Sequence, residues 1–64
     1  MKKMNSDTLI LTIAGRRYIM PPDEEEQTRR GLTKLYLPSV MVTISDERTG
    51  KVYETIRMDC LFNY

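Results

Sequence analysis

Residues 21–37, PPDEEEQTRRGLTKLYL, decide the fold. Pro21 and Pro22 end whatever strand precedes them, because neither can donate a ladder hydrogen bond. Asp23 then stands as an N-cap with Glu26 three residues on, the two halves of a capping box, and acidic residues fill the first turn where the helix dipole favours them. Glu25 with Arg29 and Glu26 with Arg30 are four apart in the favourable order, each pair contributing roughly 0.2 to 0.5 kcal/mol. A helix starts here, and the open question is where it stops. Ending at Gly31 leaves it no apolar side chain for a core, whereas continuing to about Tyr36 adds Leu32, Leu35 and Tyr36 along one side. The rival reading ends the helical turn at Gly31 and turns residues 32–37 into a strand, which gives a five-stranded, SH3-like small barrel.

Outward from this stretch, both flanks alternate with the period of a strand. Before it, Leu9, Leu11 and Ile13 point one way and Thr8, Ile10, Thr12 and Ala14 the other. Gly15 and Arg16 suit a two-residue type II′ turn, and Arg17, Tyr18, Ile19 and Met20 return as the second strand. After Pro38 and Ser39, the residues Val40, Val42 and Ile44 share a face. The cluster Asp46, Glu47, Arg48, Thr49 and Gly50 makes a turn with Gly50 in the left-handed position. Residues 51–58 return with Val52, Ile56 and Met58 toward the core. Glu54 falls on that same inward face, which requires an edge position or a bulge that shifts the register. The expectation is an α+β domain of ββαββ order over residues 8–64, an antiparallel sheet packed on one helix, with residues 1–7 as a flexible N-terminal arm.

Composition narrows the function. In 64 residues there is no His and a single Cys, Cys60. A disulfide framework, a Cys/His zinc cluster and His-based acid/base catalysis are therefore excluded within one chain. Met1, Lys2 and Lys3 mimic the start of a signal peptide, but the apolar run of residues 9–14 is short and no small-residue cleavage site follows. The lone thiol fits a reducing cytosol, so a cytoplasmic location is expected, with no membrane span. The formal net charge is only +1, distributed as +3 over residues 1–20, −2 over residues 21–30 and zero over the rest. A chain of 7.5 kDa buries roughly 6,500 Å² on folding. That burial stabilises by about 90 to 100 kcal/mol, against about 95 kcal/mol of ordering entropy. The two nearly cancel, which makes a partner the expected source of margin.

No residue pattern points to catalysis or to a cofactor. The run Asp23, Glu24, Glu25 and Glu26 is explained by the helix start, and Cys60 has no His to activate it and reads as a small buried hydrophobe. The expected function is noncatalytic binding of a larger protein, or of a second copy, by a small adaptor or inhibitor. The small size and the lack of motifs suit a regulator of a host protein encoded by a phage or mobile element. The candidate partner contacts are Leu61, Phe62 and Tyr64 in the apolar tail, with Tyr53 and Arg57 on a strand face; the competing reading of the tail folds it back across its own core. The alternative is a small RNA- or DNA-binding module. It uses Arg16, Arg17 and Tyr18 at one hairpin tip with Arg48 and Lys51 at the other.

Ile13, Gly15 and Arg16, followed by Pro21, Pro22 and Asp23 and a charged helix with Leu32 and Leu35, resemble the opening of the ZapA family of cell-division ring proteins over residues 9–37. In that family long coiled-coil helices follow. Here Pro38 and a β-hairpin take their place, so the resemblance carries no ring-protein binding over to this chain.

Overall fold

The computed structural model describes residues 8–63, with side chains as far as Leu61. The proposed N-terminal arm, the side chain of Phe62 and Tyr64 lie outside this range. Strands β1 (Leu9–Ile13) and β2 (Arg16–Met20) form the first hairpin, helix α1 (Glu25–Leu35) follows, and β3 (Met41–Asp46) and β4 (Val52–Arg57) form the second hairpin. The four strands make one antiparallel sheet in the order β2-β1-β3-β4. The expected α+β order is what the chain adopts, and the barrel alternative is overturned: residues 32–35 are the last turn of α1, and β2 and β4 remain open edges.

Strand alternation gives the sheet two unlike faces. Leu11 and Ile13 on β1, Met20 on β2 and Val42 and Ile44 on β3 are buried on one face. Leu32 of α1, with Met58 and Leu61 from the tail, closes over them, and Leu9, Tyr18, Tyr36, Val40 and Ile56 pack around the edge of this core. The tail earns its place through backbone as well as side chains. Met58 N–H donates to Val40 C=O at 2.8 Å and Asp59 N–H to Pro38 C=O at 3.2 Å, so the 3-10 segment Met58–Asn63 lies against α1.

Four local expectations are corrected. The first hairpin turns on Ala14 and Gly15, not Gly15 and Arg16, with positive φ at both (52° and 81°) as in a type I′ turn, whose twist matches the strands. Asp23 does not cap the helix. Pro21 is extended, Pro22–Glu24 make a single 3-10 turn, and α1 begins at Glu25 with no side-chain cap. The two adjacent prolines, with φ fixed near −65°, turn the chain one residue too early for Asp23 to stand outside the helix. Leu35, expected on the core side, is 70% exposed at the end of α1, while Tyr36 leaves the helix in an extended conformation and is the residue that packs at the edge of the core. Val52 is 58% exposed because a register shift at Ile44 and Ser45 sets it opposite Ser45, while Glu54 falls opposite Ile44. Glu54 keeps the register of Thr55 and Ile56 and tolerates the helix side because β4 is an edge strand; the shift lies beyond it, so of the two explanations offered the edge position is the one that applies.

The second hairpin is organised by Asp46. It is the one buried charged residue among those described, and one of its carboxylate oxygens accepts from both the backbone N–H and the hydroxyl of Thr49, each at 2.9 Å. Those bonds hold its carboxyl below the usual carboxylate range, since they favour the ionised form. Gly50 then takes φ 78°, as expected, and its N–H returns to Asp46 C=O at 2.9 Å.

Candidate functional site

The face of the sheet turned away from α1 has no covering element among the described residues. Its rows follow from the register. Arg17 pairs with Thr12, Thr12 with Thr43, and Thr43 with Thr55. One step toward the β3–β4 turn, Ile19 pairs with Ile10 and Ile10 with Ser45, and Val52 and Tyr53 bulge opposite Ser45. At the other end, Met41 pairs with Arg57. Ile19, Met41, Val52 and Tyr53 are between 45% and 61% exposed, while Ile10 in their midst is buried. The hydroxyls of Thr43 and Thr55 lie 3.3 Å apart, and Ser45 donates to Ile10 C=O at 3.4 Å, so the polar groups between the apolar ones are tied to the sheet itself.

Charge is divided between the two sides. Among the described residues, Asp46 and Glu54 register with Leu9 and Ile44 on the helix side, Asp23, Glu24, Glu25 and Glu26 lie at the helix start, and Glu47 sits in the second turn. No strand carboxylate lies on the open face. Among the described strand residues, Arg17 and Arg57 are the charges on this face, on opposite edge strands. Arg57 meets Asp59 at 2.7 Å from beyond the strand end. Both partners are largely exposed, so water screens the pair and it stabilises by at most about 1 kcal/mol.

The residues singled out for partner binding separate. Tyr53 and Arg57 are on the open face. Leu61 is completely buried in the chain's own core, which is the competing reading of the tail, and Phe62 and Tyr64 fall outside the described side chains. The residues of the nucleic-acid alternative are not brought together. Ile13 pairs with Arg16, and Leu9 pairs with both Met20 and Asp46, so the two hairpin tips lie at opposite ends of the sheet. Arg16 and Arg17 are separated from Arg48 and Lys51 by a strand length, about 17 Å at ~3.3 Å per residue. Tyr18 is on the helix side, where its ring meets Tyr36 edge to face at 6.2 Å and their hydroxyls share a hydrogen bond. That shared bond, followed by burial, raises the Tyr36 pKa above its ordinary 10.0.

Two other candidates resolve simply. Glu25 and Glu26 take the expected ion pairs with Arg29 and Arg30, at 2.9 and 2.8 Å. Among the described residues no three His, Cys, Asp or Glu side chains converge. Cys60 is exposed, not buried as expected, because the 3-10 geometry of the tail turns Met58 and Leu61, three residues apart, inward together and leaves Cys60 outside.

Sequence reasoning passed over Arg17, Ile19 and Met41 as members of one surface. Each follows from alternation once β1 is known to lie between β2 and β3, a long-range pairing that no local pattern encodes. Comparison with known proteins finds no matching family model, no matching curated protein and no matching solved structure.

Proposed function

We propose that this domain is a noncatalytic binding module that docks on another protein through the open face of its sheet. One observation carries this reading: exposed Ile19, Met41, Val52 and Tyr53 are spread over the side of the four-stranded sheet turned away from α1, with Arg17 and Arg57 on its edge strands. Tyr, Met and Arg are over-represented at protein–protein interfaces, and apolar side chains there gain from losing water. The surface is also firm. Its backbone is fixed by three strand pairings and its opposite side is a packed core, so docking orders few additional groups.

The partner is a larger protein or a second copy of the chain, and mass in solution separates the two. A role as a small inhibitor or regulator of a host protein, including one carried by a phage or mobile element, fits a module whose exposed sheet is its main asset. The test is capture from the native host on the tethered full chain, with Ile19→Asp and Met41→Asp variants alongside. Proteins held by the original chain and released by both variants support the reading. Retention unaffected by either variant, or turnover of a defined substrate by the purified chain, contradicts it.

A further inference from the structure

We propose that the open edge of β4 joins two copies of this chain, strand to strand across a twofold axis at Thr55, into one continuous eight-stranded sheet. This surface is the rim of the sheet and is separate from the docking face assigned above. Met58 N–H donates to Val40 C=O at 2.8 Å, and the same register continues through Val42 with Ile56 and Ile44 with Glu54. Bonded and non-bonded pairs alternate along an antiparallel ladder, so Met41 with Arg57 and Thr43 with Thr55 are the non-bonded pairs. The 3.3 Å approach of the Thr43 and Thr55 hydroxyls agrees, since side chains stand closer in such pairs. The N–H and C=O groups of Thr55 and Arg57 therefore point off the sheet, where no strand among the described residues meets them. Edge groups of this kind are a template for another strand.

The sequence of β4 selects its own copy as that strand. The usable edge is bounded by the bulge at Val52 and Tyr53 on one side and by Met58, which turns into the tail, on the other. Residues 53–57 remain, and Thr55 is their midpoint. Both cores stay on one side of the joined sheet only when residues paired across the junction differ by an even number, which leaves twofold centres at Glu54, Thr55 or Ile56. A centre at Glu54 sets two carboxylates face to face. A centre at Ile56 pairs only residues 55–57 within the strands. A centre at Thr55 pairs the whole stretch: Thr55 exchanges two backbone bonds with Thr55 of the second copy, Glu54 faces Ile56, and Tyr53 faces Arg57. Arg57 keeps its ion pair with Asp59 and so brings no uncompensated charge to the junction. The row Thr12, Thr43 and Thr55 then continues into the second copy, and threonines on adjacent strands are favourable neighbours. The other edge, β2, is less suited, because it begins with Arg16 and Arg17 and runs directly into Pro21 and Pro22, which have no N–H to offer.

The experiment measures mass by sedimentation across concentration for the full chain and for Thr55→Lys, Thr55→Glu and Ile19→Asp. The full chain should move from 7.5 kDa toward twice that mass as concentration rises. Thr55→Lys and Thr55→Glu each set like charges opposite one another at the axis and should weaken self-association at least about tenfold. Mixing the two variants should restore it as a heterodimer, a rescue that a role of Thr55 confined to its own fold cannot produce. Position 55 is exposed, and circular dichroism with urea denaturation checks that both variants fold. In the full chain itself, the Thr55 amide should exchange slowly with solvent at high concentration and quickly at low concentration. Ile19→Asp, on the opposite edge strand, should leave the mass unchanged. The mass of a single chain at every concentration would overturn the proposal, and so would a dimer indifferent to both Thr55 variants. A dimer lost on Ile19→Asp and kept on Thr55→Lys would also overturn it by moving the contact to the open face, and the docking reading would survive.

Discussion

The helix-covered face and the open face of the sheet come from the same four strands, read one residue out of step. On the first, Leu11, Ile13, Val42 and Ile44 are fully buried beneath Leu32, Met58 and Leu61. On the second, Ile19, Met41, Val52 and Tyr53 hold half or more of their surface in water, or close to it. Hydrophobic residues thus occur on both sides, yet among the described residues only one side is covered. Burial stabilises the fold at about 25 cal/mol per Å² of apolar surface removed from water, so the first set holds the domain together and the second keeps that free energy available for association. A domain of this size has little stability in reserve.

This contrast is breakable by substitution, and the largest effect belongs to the closed face. Leu11→Ala removes a completely buried side chain at the centre of the sheet and costs about 2 to 5 kcal/mol, enough to unfold the chain. Loss of the cooperative transition in urea checks this. The acid limb of the stability curve comes next. Asp46 has its pKa lowered from 3.8 by the Thr49 bonds, so its contribution is complete above about pH 4 and disappears as pH falls through the lowered native value. Asp46→Asn should flatten that part of the curve, measured by urea midpoints across acidic pH. If the slope is unchanged, another carboxylate governs it.

Gly31→Ala should raise stability by about 1 kcal/mol. The residue is an exposed position inside α1, and a Cβ there meets nothing within 4 Å. A lower melting temperature would mean that the helix needs a break at Gly31. The smallest effect belongs to the open face. Ile19→Ser, at 61% exposure, should change stability by no more than about 0.5 kcal/mol. A loss comparable to that of Leu11→Ala would show that something in the free chain already covers this face and would remove the distinction between the two sides.

Much of this division was legible in the amino-acid order. Leu9, Leu11 and Ile13 against Ile10 and Thr12, and Val42 and Ile44 against Thr43, mark the faces by simple alternation, and the choice of helix over strand at residues 32–35 follows from the need to cover them. The failures have physical causes. Ala14 at positive φ is invisible because Ala carries a Cβ penalty there, which the favourable twist of the hairpin outweighs. Strict alternation places Val52 inward because it takes no account of a bulge. Cys60 and Leu61 were misassigned relative to one another because the tail winds as a 3-10 helix, whose three-residue repeat differs from that of a strand. The candidate site was legible only in Tyr53 and Arg57. Arg17, Ile19 and Met41 join them through the pairing of β1 with β3, which brings distant segments side by side.

The most direct test is an NMR titration of the isotopically labelled full chain with a peptide or protein that it binds, following backbone and methyl signals to saturation. The account predicts shifts concentrated at Arg17, Ile19, Met41, Tyr53 and Thr55, with α1 unmoved. Shifts centred on Leu35 and Leu37, the exposed leucines at the end of the helix, with the open face unchanged, would contradict it.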